Sequence, residues 1–156
     1  MKELLDKIQI EFFELYNEIY DEKIMIEPLT GNETKWSSST MFSLTPFHIE
    51  RSRGNLTLEE VHESKPDKPR ITEAIYERGK LVTLKNWKGE ELIGLSVLNY
   101  NYRFIKQTTV SIDDGDQELK SLRFFEEHDE RVISKSEATI YGAQLEKYIH
   151  VDGNIS

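Results

Sequence analysis

The first 22 residues place apolar and charged side chains at the spacing of an α-helix. Apolar residues recur at steps of three and four: Leu4, Leu5, Ile8, Phe12, Leu15, Tyr16 and Ile19. Acidic and basic residues fill the positions between them, so one face is apolar and the other is solvated. The pattern predicts a helix over residues 1–22 that packs on another part of the chain, because an isolated helix of this length is only marginally stable in water.

Residues 23–70 predict a mixture of short strands and loops. The apolar run Ile24–Ile26 favours a short first strand, and residues 28–39 are rich in Pro, Gly, Asn, Thr and Ser, as is typical of a loop. Apolar residues alternate over 42–49 around a proline, which favours an edge or bulged strand. A Thr-x-x-Glu pattern over 57–60 is compatible with a capped helical turn. Residues 64–70 then form an exposed connector.

Two candidate hairpin turns organise residues 71–97. They are Arg78–Gly79 and Lys88–Gly89. If each turn centres on its dipeptide, Ile75 pairs with Val82, Val82 pairs with Leu95, and Leu84 pairs with Ile93. Directly opposed residues lie on one side of a sheet. We therefore expect one buried face made of Ile75, Val82, Leu84, Ile93 and Leu95.

A strong period of two continues through residues 98–112 and predicts a single long strand with a bend or bulge. Asp113–Asp116 follows as a turn, and strands are expected over 119–125, 132–140 and 141–151. The predicted fold class is α+β, with the N-terminal helix packed on a twisted antiparallel meander of about six to eight strands that curls toward a half-barrel. One domain is expected over residues 1–156, divided into 1–22, 23–70 and 71–152.

Composition restricts the function classes that fit. Hydrophobic residues make up 37% of the 156 residues, which is enough to fill one core, and cysteine is absent. A disulfide scaffold and a cysteine nucleophile are therefore excluded. The formal net charge of −9 argues against a general nucleic-acid binder. No apolar run is long enough for a membrane span and the first residues do not resemble a signal peptide, so we expect a cytoplasmic protein that binds no membrane.

Motifs for catalysis or cofactor binding do not stand out in the sequence. The four histidines lie far apart, without the spacing of a helical zinc site. There is no G-x-S-x-G sequence and no glycine-rich phosphate loop. Asp113–Asp116 lacks the register of a calcium-binding loop. The expectation is a protein that is not an enzyme and holds no metal and no cofactor.

The distribution of acidic residues is the most informative chemical feature. Residues 113–130 contain eight acidic residues and two basic ones. The simple interpretation is a set of solvated turns, and the functional one is a negative patch that attracts a basic partner. Trp87 adjoins a predicted turn, where it could act as an interface anchor. The candidate partner-binding residues are Asp113, Asp114, Asp116, Glu126, Glu127, Asp129 and Trp87.

Four segments give the chain its overall character. They are the acidic helical start MKELLDKIQIEFFELYNEIY, the meander IYERGKLVTLKNWKGEELIGL, and the acidic segments IDDGDQE and FFEEHDE. A chain of this kind resembles bacterial immunity proteins, the small cytosolic inhibitors that neutralise toxins of contact-dependent and related polymorphic systems. The resemblance implies that the partner is a cognate toxin domain whose active site the chain would occlude. Many such toxins are basic nucleases, so the resemblance also implies a basic partner.

Two alternatives remain open from the sequence. In the first, the chain is a barrel-like small-molecule carrier or enzyme, with Tyr100, Tyr102 and Phe104 in one row that lines a cavity. In the second, the chain is a structural or oligomeric protein with an exposed apolar sheet face. A filled core together with an acidic outer surface would favour a protein partner over both.

Overall fold

The computed structural model describes residues 2–37, 42, 61–151 and 154–155, and for residues 150, 151, 154 and 155 it describes the backbone only. One helix, α1, spans Lys2–Glu22. The strands are β1 (Glu33–Ser37), β2 (Arg70–Glu77), β3 (Lys80–Lys88), β4 (Glu91–Asn101), β5 (Phe104–Asp113), β6 (Asp116–His128), β7 (Arg131–Thr139), β8 (Gly142–Lys147), β9 (His150–Val151) and β10 (Asn154–Ile155). None of the described helical residues forms a helix long and apolar enough to cross a membrane.

Strands β1–β8 form one antiparallel sheet whose spatial order is the order of the sequence. Each strand pairs with its neighbours in the chain, so short hairpin turns connect β2 through β8. The sheet is open, because β1 and β8 are its two edges and do not pair with each other. Strands β9 and β10 pair separately. The predicted α+β class, with a helix on an antiparallel meander, is confirmed.

The helix α1 packs on β6, β7 and β8, as its apolar stripe requires. Ile8, Phe12 and Ile19 are buried, and Leu5 packs against the same cluster. The sheet supplies the other side of this core with Leu95, Val97, Val110, Leu119, Leu122 and Ala138. The predicted amphipathic helix is therefore confirmed over residues 2–22, and its buried face is confirmed except at Leu4, which is 45% exposed.

A second core lies on the opposite face of the sheet. It contains Phe42, Ala74, Leu81, Leu84, Leu98, Ile105 and Phe125. Apart from Phe42, the strand predicted over residues 42–49 lies outside the described residues, and so does the capped turn predicted for 57–60. The sheet is thus buried on both faces, which explains why several of its strands carry apolar residues at adjacent positions.

Residues 23–32, here called the crossing segment, run from the end of α1 to the start of β1 without forming a strand. The predicted strand at Ile24–Ile26 is therefore wrong. Side chains hold this segment instead: Gln117 bonds the backbone of Ile26, and Thr83 bonds the backbone of Leu29. The loop predicted for residues 28–39 is also partly wrong, since it contains β1, which pairs with β2.

The predicted register of the first two hairpins is wrong beyond the turns. Near the first turn, Tyr76 pairs with Leu81, but a bulge after Ile75 moves this residue opposite Thr83 instead of Val82. The second turn consists of Gly89 and Glu90, one residue later than predicted, and a second bulge follows it. Each bulge inserts one residue into one strand and so reverses which side chains share a face.

The predicted single face made of Ile75, Val82, Leu84, Ile93 and Leu95 is consequently wrong. Leu95 belongs to the core beneath the helix, whereas Leu84 belongs to the core on the opposite face. Val82 and Ile93 are only half-buried. Both adjoin a register shift, which takes them out of the regular pattern.

The long strand predicted over residues 98–112 is two strands, β4 and β5, joined at Tyr102 and Arg103. Tyr102 has a φ of 54°. Asn101 pairs with Phe104 across this turn, and Tyr100 pairs with Ile105. Directly paired residues share a face of the sheet, and adjacent residues of a strand lie on opposite faces. Tyr100 therefore shares a face with Ile105 and lies on the opposite face from Phe104. The strand predicted over 141–151 ends earlier, at Lys147, with β9 beyond it.

Candidate functional site

Strand β6 divides the acidic stretch 113–130 into two groups. Asp113, Asp114 and Asp116 lie at the turn that begins β6, whereas Glu126, Glu127 and Asp129 lie at the end of β6. Ten residues of extended strand separate Asp116 from Glu126, which corresponds to about 33 Å. The predicted acidic residues are therefore not brought together in one patch.

The first group forms the tip of the β5–β6 hairpin, here called the acidic tip (Asp113–Asp116). Asp114 and Gly115 have φ angles of 51° and 83°, the conformation of a two-residue turn that favours Asp-Gly. The turn predicted here is confirmed. All residues of the acidic tip are exposed, and none of its three carboxylates forms an ion pair with a described residue. Their negative charge is thus directed to solvent.

Two clefts border the acidic tip, one on each side of the crossing segment. The helix-side cleft has a volume of about 570 Å³ and lies between the end of α1 and the hairpin. Its walls include Tyr16, Ile19, Tyr20, Ile24, Asp113 and Asp116. The strand-side cleft has a volume of about 620 Å³. Its walls include Ile26, Pro28, Leu92, Ile112, Asp114 and Gly115. Met25 and Gln117 belong to both clefts.

Apolar side chains are unusually accessible around these clefts. Ile24 is 41% exposed, Met25 is 49% exposed and Tyr20 is 67% exposed. They do not lie on a loose loop, because the amide of Gln117 bonds both polar groups of the Ile26 backbone, at 2.7 and 3.0 Å. The acidic tip therefore stands beside a fixed apolar surface, and this combination is the candidate functional site.

Trp87 lies at the same end of the sheet, but within β3 and not at a hairpin tip. Its ring is half-buried, its Nε1 donates to a carboxylate oxygen of Glu73 at 3.0 Å, and the ammonium of Lys65 lies 5.2 Å from the ring centroid. It pairs across the sheet with Leu92, which lines the strand-side cleft. Trp87 thus adjoins the candidate site, held in place by partners of its own.

The second acidic group lies at the opposite end of the sheet and has local partners. The Arg103 guanidinium lies 3.5 Å from the carboxylate of Glu126, and Ser134 also bonds that carboxylate. The backbone N–H of Glu127 donates to the Arg103 carbonyl at 2.8 Å. Glu126 and Glu127 are half-buried, whereas Asp129 is exposed in the turn. Among the described residues, Arg103 thus pairs with Glu126 alone, whereas the carboxylates of Glu127 and Asp129 have no lysine or arginine partner.

The row of Tyr100, Tyr102 and Phe104 does not line one cavity. Tyr102 is 96% exposed in its turn, and Phe104 lies on the other face from Tyr100. The Tyr100 hydroxyl donates to the Leu81 carbonyl at 2.7 Å, and burial, assisted by the charge of Glu127, raises the pKa of this phenol to about 12. Burial also raises the pKa of the nearby Tyr76 phenol. Tyr100 thus has a structural hydrogen bond at a core edge.

Sequence reasoning missed the crossing segment as part of the site. The signal was present as the run Ile24–Ile26, three apolar residues directly after a helix and next to Lys23 and Glu27. Its apolar character suggested a strand, whereas the structure uses it as a surface beside the acidic tip. Within the described residues there is no group of three or more acidic or histidine side chains that could hold a metal ion. Comparison with known proteins finds no matching family model, no matching curated protein and no matching solved structure.

Proposed function

We propose that this protein is an immunity-type inhibitor, which binds a basic toxin domain and neutralises it by occluding its active site. The observation that carries the proposal is the position of the acidic tip between two clefts whose walls combine apolar side chains with charged and polar ones. A protein interface commonly combines an apolar centre with charged groups at its edge, and this end of the sheet has both.

The charge distribution favours a basic partner. The three carboxylates of the acidic tip have no ion-pair partner among the described residues, and the chain as a whole has a net charge of −9. Such a field attracts a positively charged protein and raises the rate of association. A hairpin that carries three carboxylates would also compete with phosphate groups for the basic residues of a nuclease, which makes this toxin class the preferred partner.

The apolar surface supplies affinity once the partner has arrived. Met25 and Ile24 are accessible, so covering them removes apolar area from water, at about 25 cal/mol per Å². Because Gln117 fixes the Ile26 backbone, little conformational entropy is lost when a partner covers the segment. The surface is therefore suited to tight binding, in which the acidic tip sets the association rate and the apolar residues set the dissociation rate.

Binding kinetics test this division. The partner is the toxin domain encoded beside the gene for this chain, and the first variant is the double charge reversal Asp114→Lys and Asp116→Lys. We expect association to slow by about tenfold or more at low salt, and the difference to shrink as salt rises. The matched control is Glu127→Lys with Asp129→Lys, which makes the same charge change at the other end of the sheet. Equal slowing by both pairs would exclude the acidic tip as the docking surface.

The apolar contribution is tested separately with Met25→Ala. We expect faster dissociation and an almost unchanged association rate, because the variant removes contact area and no charge. Ile10→Ala is the control, since Ile10 is 61% exposed on α1 and does not line either cleft. Toxin activity measured in the same mixtures would have to recover as the complex weakens. A toxin that stays active when saturated with the wild-type chain would refute the inhibitor proposal.

A further inference from the structure

The side of α1 that faces solvent carries apolar side chains of its own. Ile10 is 61% exposed and Phe13 is 38% exposed. A groove with a volume of about 520 Å³ runs along this side, and its walls come from α1 alone: Asp6, Gln9, Ile10, Phe13, Glu14 and Asn17. None of these residues lines the two clefts beside the acidic tip. The groove is therefore a second accessible surface, separate from the candidate functional site.

The residues of this groove follow the spacing of a helix–helix contact. Asp6, Ile10, Phe13 and Asn17 are separated by steps of four, three and four residues, so they form one stripe along α1, here called the outer seam. An asparagine in such a stripe selects the partner and its alignment, because the amide has to meet a polar group. The spacing of the outer seam thus suits a second helix laid along α1.

Two charged residues flank the outer seam on the same side. Lys7 and Glu14 are seven residues apart, so they project from α1 in nearly the same direction. Both are exposed, and neither forms an ion pair with a residue that the structure describes. A partner helix that places a carboxylate opposite Lys7 and an ammonium opposite Glu14 would pair both charges. The helix α1 of a second copy, running in the opposite direction, is such a partner.

In the antiparallel direction, the outer seam is complementary to itself. A two-fold axis that passes between Ile10 and Phe13 places Ile10 beside Phe13 of the second copy, and Phe13 beside its Ile10. The same axis places Asp6 beside Asn17 of the second copy, where the carboxylate can accept a hydrogen bond from the amide. Apolar residues thus meet apolar residues at the centre, and polar residues meet polar ones at both ends.

The flanking charges distinguish between the two directions. In an antiparallel pair, each side of the seam faces the same side of the second copy, so Lys7 faces Glu14 twice. At 1.5 Å per residue, Lys7 lies about 7 Å from the two-fold axis and Glu14 about 4 Å, a difference that a lysine side chain can span. In a parallel pair the two sides of the seam face each other, and Lys7 would lie beside Lys2. The charges therefore favour the antiparallel pair.

We propose that the outer seam is a homodimer contact, in which α1 packs antiparallel on α1 of a second copy. Ile10 and Phe13 form its centre, and Lys7 pairs with Glu14 on each side of the axis. The seam covers about three helical turns, less surface than a permanent interface buries, so the dimer is weak and depends on concentration. This proposal does not depend on toxin binding, because the acidic tip and its two clefts lie outside the seam.

Sedimentation velocity of the full chain tests the dimer over protein concentrations from about 10 μM to about 1 mM. Salt at about 0.15 M screens the repulsion between two chains of net charge −9. We expect a dissociation constant of about 10⁻⁴ M. Lys7→Glu and Glu14→Lys should each weaken the dimer by about tenfold or more, since each replaces two attractive pairs by two repulsive ones. Ile10→Asp should weaken it as well, because it places a charge at the apolar centre.

A mixture of the two charge variants tests the antiparallel direction. When Lys7→Glu meets Glu14→Lys, each facing pair again consists of a lysine and a glutamate, so the mixture should associate as the wild type does. A chain that carries both substitutions should also dimerise. The control is Glu91→Lys on β4, which makes the same charge change as Glu14→Lys at an exposed position outside α1 and should leave the dimer unchanged.

The charge variants alter exposed side chains, so we expect their melting temperatures to match that of the wild type at low protein concentration. The proposal is overturned if the wild-type chain stays monomeric at about 1 mM. It is also overturned if Ile10→Asp, or both single charge variants, dimerise as the wild type does. Failure of Lys7→Glu and Glu14→Lys to associate when mixed would exclude the antiparallel seam.

Discussion

The side-chain amide of Gln117 bonds the backbone of Ile26 as a neighbouring strand would. The Ile26 N–H donates to the Gln117 oxygen at 2.7 Å, and the Gln117 amide nitrogen donates to the Ile26 carbonyl at 3.0 Å, across 91 residues of sequence. Thr83 does the same for Leu29 with its single hydroxyl. Two side chains thus satisfy backbone groups of Ile26 and Leu29, which lie outside every strand.

We expect Gln117→Ala to lower the free energy of unfolding by about 1–3 kcal/mol, because two hydrogen bonds are lost and backbone groups are left without partners. Amide exchange at Ile26 should accelerate more than at Phe12, which lies in the helix. Gln144→Ala on the edge strand β8 is the control and should have a smaller effect. An unchanged exchange rate at Ile26 would contradict the proposed anchoring.

Phe12 and Phe13 give a matched test of the helix face. Phe12 is 0% exposed and Phe13 is 38% exposed, and they are adjacent in α1. We expect Phe12→Ala to lower the free energy of unfolding by about 3–5 kcal/mol, since it leaves a cavity in the core beneath the helix. Phe13→Ala should cost less than about 1 kcal/mol. Denaturant titration measures both, and equal costs would place the helix in another orientation.

Tyr100 makes stability depend on pH in the alkaline range. Burial raises the pKa of its phenol to about 12 in the folded chain, above the usual value of 10.0. The unfolded chain releases this proton first, so the contribution is complete below pH 10 and is lost as pH rises toward 12. We expect Tyr100→Phe to lose stability at neutral pH through its bond to the Leu81 carbonyl, and to show a shallower decline above pH 10.

The control for this profile is Tyr102→Phe, which changes a phenol that is 96% exposed at a turn. Thermal unfolding followed from pH 8 to pH 12 compares the three proteins. A decline as steep in Tyr100→Phe as in the wild type would show that other groups account for the alkaline loss.

The ion pair between Glu11 and Lys106 joins the helix to the sheet at 2.6 Å. Both side chains are more than a third exposed, so solvent screens the pair. A double-mutant cycle with Glu11→Gln and Lys106→Gln should give a coupling free energy of about 0.2–1 kcal/mol that falls as salt rises. Glu14→Gln in place of Glu11→Gln should show almost no coupling. A salt-independent value would mean that the two residues interact through packing.

The helix and the Asp114–Gly115 turn were predictable because each has a strong local signal. The apolar stripe of α1 identifies its buried face directly, and Asp-Gly is the preferred pair for a turn with two positive φ angles. The β4–β5 turn lacked such a signal. Tyr102 adopts a φ of 54° although aromatic residues rarely do so, and the apolar alternation continued across it without a break.

The register of the first two hairpins was not predictable, because no residue pattern in the sequence indicates where the bulges lie. The shifts after Ile75 and after Asn86 depend on how whole strands pack on two cores, and each reverses the faces beyond it. Only one part of the candidate site could be predicted from the sequence, for a related reason. Local charge identified the acidic tip, but the contact between Gln117 and Ile26 joins positions too far apart in sequence for any local pattern to indicate.

The placement of α1 has a consequence for the order in which this chain can fold. The ribosome releases α1 before any strand of the sheet, yet α1 makes most of its contacts with β6, β7 and β8, which are released about a hundred residues later. At a synthesis rate of about 5–20 residues per second, the apolar stripe of α1 lacks these partners for several seconds. The hairpins between need only neighbours in sequence, so they can assemble in order of synthesis. The docking of α1 is then the last step of folding. In a nascent chain truncated before β6, the apolar face of α1 stays exposed and can contact other apolar surfaces.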